Sequence, residues 1–254
     1  MTRKASRVLP VLVAVFALLM AGPVLTLAFG EASTGGDWRT ASQRSAGIAP
    51  DPATHPAPIV QVYAGRAFGW RGAFSVHTWL VAKPEGADAY TRYEVIGWYA
   101  RSGGSAVSIS SARAPDAEWY GAAPMLIRDL RGPDAQAVIA KLPAAAAAYP
   151  FATNYRAWPG PNSNTFIAHL AREIPELRLA LPSNAIGKDY TPLTEIVTPA
   201  PSHTGWQVGV AGVLGLLLAR EEGLEINVLG LVTGVDFGAP ALKLPGIGRV
   251  PRRS

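Results

Sequence analysis

The sequence predicts an α+β domain, with an antiparallel sheet packed against helices and one transmembrane helix ahead of it. Three observations carry this. Residues 8–29 are an uncharged apolar run. Between residues 58 and 110, short β-rich stretches alternate with turn residues, as in a meander. From residue 132 the apolar spacing lengthens to the helical period, and strand-like sequence returns only near residue 224.

Val8–Phe29 contains 22 residues, interrupted only by Pro10, Gly22, Pro23 and Thr26. About 20 apolar residues cross a bilayer as a helix. Arg3, Lys4 and Arg7 precede the run. The positive-inside tendency therefore keeps residues 1–7 in the cytoplasm and exports residues 58–254, to the periplasm or another extracytoplasmic space. A cleaved signal peptide is the alternative, because Ala28-Phe29-Gly30 offers small residues to a peptidase. The run nevertheless exceeds the ~7–15 residues of a signal core. Residues 30–57, rich in Gly, Ser, Thr, Ala and Pro, are expected to be a solvated linker.

In the exported domain, strands are expected at Pro58–Ala64, Ala73–Ala82, Thr91–Ala100 and Ala106–Ser110. Gly132-Pro133-Asp134 opens a helix through Ala135, Val138, Ile139 and Leu142, with proline at a position suited to a helix start. Pro143 is expected to kink or split it before the Ala144–Ala148 run. The next helix is Asn162–Glu173, with Ser163, Phe166, Ile167 and Leu170 along one face. Gly205–Arg220 reads as a buried helix with a glycine seam; its core, Val208–Ala219, is 12 residues and too short to cross a membrane. Leu224–Val232 reads as a buried strand, and residues 234–251 as loops.

Composition removes several classes of function. There is no cysteine, hence no disulfide, thiolate metal site, cysteine nucleophile or lipid-modified cysteine. The net charge of +5 comes from Arg3, Lys4, Arg7, Arg249, Arg252 and Arg253; without these six, 17 basic residues face 18 acidic ones. No basic face interleaved with aromatics is present, so no nucleic-acid partner is expected. No His-Glu-x-x-His, carboxylate cluster, Walker loop or Gly-x-Gly-x-x-Gly occurs, so neither a metal nor another cofactor is expected.

The candidate chemistry lies in Trp158-Pro-Gly-Pro-Asn-Ser-Asn-Thr-Phe-Ile167, a tight turn feeding a helix. Ser163 stands at the positive end of that helix, where backbone N–H groups of Ser163 and Asn164 favour an oxyanion. A serine needs a base, and His77, in strand-like sequence, is the candidate; Glu94 on the next strand would orient it. The plainer alternatives are a helix cap, a half-buried histidine and a solvated charge. His55, His169 and His203 make no metal pair with His77 by spacing.

Ser75-Val-His77-Thr-Trp-Leu80, Tyr93-Glu-Val-Ile-Gly-Trp98, Gly160-Pro-Asn-Ser-Asn-Thr-Phe166 and Gly223-Leu-Glu-Ile-Asn-Val-Leu-Gly-Leu231 together resemble the uncharacterised bacterial domain-of-unknown-function family numbered 3750. The resemblance covers most of residues 57–250 and implies no established activity. The order of strand histidine, polar residue on the next strand, then helix-opening Asn-x-x-x-Phe is similar to circularly permuted papain-like proteins, the NlpC/P60 and lecithin-retinol-acyltransferase-like groups. Those carry a cysteine nucleophile where Ser163 stands. A thiol ionises near neutral pH and a serine hydroxyl does not, so the resemblance carries the arrangement and not the activity.

Two functions follow as expectations. One is a membrane-anchored binding or scaffolding domain in the cell envelope, using Trp70, Trp79, Trp98, Trp119 and Trp158 against a substrate or protein partner. The other is a serine-dependent hydrolase or acyltransferase acting on envelope amides or esters.

Overall fold

A computed structural model describes residues 2–30, 32 and 35–251 of the chain. Arg252 and Arg253, and the side chains of Arg3, Lys4 and Arg7, lie outside the described residues. Helix α1 (Thr2–Ala28) runs through both Pro10 and Pro23. Its Leu9–Ala28 portion has 20 residues and a mean hydropathy of 2.5, long and apolar enough to cross a membrane.

The first sheet contains β1 (Ile59–Arg66), β2 (Val76–Lys83), β3 (Thr91–Val95), β4 (Val107–Ser110) and β5 (Met125–Arg131). Their order is β4-β3-β2-β1-β5, antiparallel throughout. Alternate residues of the central strands face opposite layers. Val60, Val62, Leu80 and Ala82 join a core with α3 (Gly132–Ala147) and α4 (Ser163–Glu173). Ile59, Tyr63, Trp79 and Val81 face the other way and pack with Trp119. Both faces of β1 and β2 are thus covered, which is why these strands read as nearly continuous apolar runs.

Several expectations change here. The third strand stops at Val95 and turns into the short helix α2 (Gly97–Arg101). Strand β5 was not expected; it is a largely exposed edge strand whose Met-Leu-Ile-Arg-Asp-Leu-Arg mixes apolar and charged residues, with Leu130 alone buried in the core. Pro143 sits inside α3 without splitting it. The linker is not wholly solvated. Asp116 accepts from Ser45 Oγ at 2.6 Å and from the Ile48 and Ala49 backbone N–H groups at 2.7 and 3.0 Å, tying that stretch to the domain.

The largest change lies beyond residue 196. Strands β6 (Val197–Pro199), β7 (Gly205–Val210), β8 (Leu214–Ala219), β9 (Gly223–Val228), β10 (Leu231–Asp236), β11 (Ala241–Leu244) and β12 (Gly248–Val250) form a second antiparallel sheet in sequential order. The expected helix at 205–220 is the β7–β8 hairpin, and the single strand at 224–232 is β9 and β10. Residues 234–251, expected as loops, supply β11, β12 and the second half of β10. The turns explain the error. Ala211 and Gly212 have φ of 49° and 70°, and Leu229 and Gly230 have φ of 56° and 82°. Successive left-handed residues reverse a strand and cannot continue a helix.

Helix α4 starts where the sequence placed it. The Asn162 side chain accepts from the Asn164 and Thr165 N–H groups, and Thr165 Oγ1 accepts from Asn162 N–H, forming a capping box. Asn162 Nδ2 also donates to Ala157 O and Ile186 O, so the cap fixes two neighbouring loops. Asn162→Ala is expected to lower stability by about 2 kcal/mol in urea titrations, the upper end for a cap. A loss too small to measure would mean that these bonds do not hold the helix start.

Candidate functional site

A cavity of about 680 Å³ opens at the Val76 end of β2. Its walls are largely aromatic, with Trp38, Phe68, Trp70, Trp98, Trp119 and Trp158 among them. His77 and Ser163 both line it.

His77 lies on β2 opposite Gly65 of β1. A side chain at Gly65 would begin 2.9 Å from Trp119 Cβ, so glycine lets Trp119 close down on the sheet. The Trp119 ring stacks on the His77 ring at 3.4 Å between centroids, 6° from parallel. On the neighbouring strand, Glu94 Oε2 lies 3.1 Å from His77 Nε2 and accepts from Arg92 Nη2 at 2.9 Å. Arg113 Nη1 reaches Glu94 Oε1 at 3.5 Å. The Arg92 guanidinium lies over the Trp79 ring, 4.2 Å from its centroid.

Charge then decides the tautomer. Burial alone would raise the Glu94 pKa, but hydrogen bonds from His77 and Arg92 and their charges bring it down to about 2. A carboxylate only accepts, so His77 Nε2 carries the proton and Nδ1 presents its lone pair. Nδ1 makes no hydrogen bond among the described residues. Burial is the main cause that lowers the His77 pKa to about 4; Glu94 opposes it, while Arg92 and Arg113 add to it. The imidazole is therefore neutral at pH 7.

Ser163 is the first residue of α4, and its hydroxyl has no hydrogen-bond partner among the described residues. The Asn164 N–H, expected to share in holding an oxyanion, donates instead to Asn162 Oδ1. That leaves the Ser163 N–H as the open donor at the helix start. The Asn164 side chain is buried and bridges the helix to β2. Its Nδ2 donates to Val76 O at 2.9 Å and Ile186 O at 2.7 Å, and its Oδ1 accepts from Thr78 Oγ1 at 2.9 Å. Ser163 is thereby fixed beside the two residues that flank His77.

Of the three candidates, His77 and Glu94 are hydrogen-bonded, and Ser163 lines the same cavity as His77 without a hydrogen bond to it among the described residues. Sequence reasoning missed Arg92, Arg113 and the Asn164 side chain, and named Trp119 only among the aromatic groups, not as the ring stacked on His77. The repeated asparagine around Ser163, and Arg92 two places before Glu94 on one strand face, were the available signals. The remaining histidines serve elsewhere: His169 contacts Ala145 O and His203 contacts Arg172 O. Among the described residues, no group of three or more His, Asp or Glu is placed to hold a metal ion.

The family model described as a protein of unknown function, DUF3750, matches residues 57–190. The chain belongs to this family. The DUF3750 match spans β1–β5 and α2–α4, with His77, Glu94 and Ser163 inside it. It ends before the second sheet, so the Gly223–Leu231 segment that also suggested the family lies outside the matched residues. No curated protein and no solved structure matches the chain, and the permuted papain-like arrangement stays an expectation from sequence.

The low His77 pKa fixes a pH dependence of stability. As pH falls from 6.5, the unfolded chain takes up a proton at this histidine before the folded chain does. Its contribution is complete above pH 6.5 and is lost down to about pH 4, amounting to about 3 kcal/mol. Urea titrations at pH 7 and pH 4.5 are expected to differ by most of this amount in the native chain and by much less in His77→Gln. Equal slopes in the two proteins would show that burial does not hold the imidazole neutral.

Proposed function

We propose that the chain is a membrane-tethered, exported domain that transfers an acyl group from an apolar ester or amide through Ser163. The observation that carries this reading is the unpartnered Ser163 hydroxyl lining the same aromatic cavity as a neutral, Glu94-held His77. In the proposed reaction Ser163 Oγ bonds to the substrate carbonyl carbon while its proton passes to His77 Nδ1. The developing oxyanion takes the open Ser163 N–H at the positive end of α4. His77 returns the proton to the leaving alcohol or amine as its bond to carbon breaks. Water, or another alcohol or amine, then releases the acyl group by the reverse sequence of transfers. Glu94 stabilises the imidazolium formed on the way, and the aromatic walls favour a substrate with an apolar portion. Arg3, Lys4 and Arg7, ahead of the apolar Leu9–Ala28 span, support export of the domain to the periplasm or an equivalent space.

A second reading has one observation in its favour. No hydrogen bond links Ser163 to His77, and His77 is clamped between Trp119 and Glu94. On this reading the cavity binds an apolar envelope ligand or partner without turning it over.

A fluorophosphonate probe separates the two. The full chain in detergent is expected to be labelled, Ser163→Ala to be unlabelled, and His77→Ala to react about 10²–10⁴-fold more slowly. Equal labelling of the native chain and Ser163→Ala removes the catalytic reading. Retained binding of an apolar dye, displaced by a bulky substitution in the cavity wall, would then favour the second.

A further inference from the structure

The second sheet has its polarity reversed. On its inward face Gln207, Glu225 and Lys243 are buried, with Lys188 Nζ 2.5 Å from Glu225 Oε2 and Lys243 Nζ 2.5 Å from Glu225 Oε1. Leu217, Ala219 and Val232 are buried there too, but most of the sheet's apolar side chains lie on its outward face. Pairing register places Trp206, Leu218, Leu224, Val235, Leu242 and Val250 in one unbroken row across β7–β12. Trp206, Leu218, Leu242 and Val250 are 62, 57, 55 and 42 % exposed. A second row, Val208, Leu216 and Ile226, runs beside it and is also exposed. A monomer in water rarely leaves a contiguous face of this kind bare.

Helix α1 indicates what covers it. Leu9–Leu18 of this helix is exposed, whereas Leu19, Gly22, Pro23 and Thr26 are buried against the domain. The Pro245 carbonyl occupies the place a Gly22 side chain would take, and Gly246 abuts Pro23. The 3-10 turn Gly69–Ala73 packs on α1 as well. Leu19 is nine residues inside the Ala28 end of the apolar span, a depth of roughly 14 Å at 1.5 Å per residue, against ~30 Å for a hydrocarbon core. If α1 spans, the turn between β11 and β12 must enter the leaflet with it. The apolar row begins on those same two strands, at Val250 and Leu242.

We infer that the outward face of the second sheet rests in the leaflet next to α1, with phospholipid acyl chains as its occupant. The inference depends on the membrane-spanning reading of α1. Trp206 then stands where amphipathic rings favour the interface, and the buried Glu225 cluster is kept away from lipid.

The chain has no cysteine, so single labels can be introduced without removing any. The full chain is reconstituted in phosphatidylcholine–phosphatidylglycerol vesicles with a nitroxide on Leu218→Cys, Trp206→Cys, Leu12→Cys or Asp88→Cys, and relaxation by oxygen and by a water-soluble nickel chelate is compared. Asp88 is exposed in the turn after β2 and reports water. The expected result is a several-fold higher oxygen-to-nickel ratio at 218, 206 and 12 than at 88. A lipid-like ratio at 12 with a water-like ratio at 218 and 206 overturns the docking while leaving the anchor intact. A water-like ratio at 12 overturns both. Labels at 218 and 206 that are immobile and shielded from both agents place a second copy or another protein on the face, and overturn the lipid assignment.

Discussion

Burial of the Glu94 charge organises the first sheet. A carboxylate removed from water must be paired and hydrogen-bonded, or it is held at great cost. Arg92, His77 and Arg113 meet that requirement from two strands and a loop. Each partner imposes a further condition. Arg92 is itself buried and rests on Trp79; His77 loses its charge and stacks on Trp119; Trp119 needs the space that Gly65 leaves. One ionised group thus fixes a tautomer, a ring plane and the wall of a cavity.

The second sheet is built on the same physics, again around a buried carboxylate. Glu225 sits between Lys188 and Lys243, and Lys188 also pairs with Asp189. Burial opposes the charge on Lys188, yet Asp189 and Glu225 hold its pKa above the usual lysine range. Lys188 and Asp189 belong to the segment that leaves the first unit, so this cluster joins the family-matched part of the chain to the meander that follows. Asp189 Oδ2 accepts from Asn227 and Asp189 O accepts from Gln207, adding two hydrogen bonds to the same joint.

Much of this was legible from sequence, and the failures share a cause. Turn residues marked β1–β4, and the Pro159-Gly-Pro161 turn before Asn162 marked the start of α4, because these signals act over a few residues. Glu94 and His77 were paired by reading adjacent strands with period two. The Glu94 cluster was harder, since Arg113 arrives from a loop and Trp119 through a glycine on another strand. The hairpin at 205–220 was misread for a different reason. Most of its apolar residues point outward, with only Leu217 and Ala219 buried beside Gln207, so the usual rule assigning apolar residues to a core pointed toward a buried helix. The sequence likewise could not show that residues 45–49 bind Asp116, a contact spanning about 70 positions.

The seat of α1 has a consequence for biogenesis. Leu19, Gly22, Pro23 and Thr26 fill a groove whose other wall is the turn at Pro245–Ile247. Scission near Ala28 would release a peptide already embedded in the protein it came from, and its departure would uncover the Gly69–Ala73 turn and the Pro245–Ile247 turn. Helix α1 and the β11–β12 hairpin thus complete one another, so α1 finishes its packing only after a turn about 220 positions further along the chain has formed.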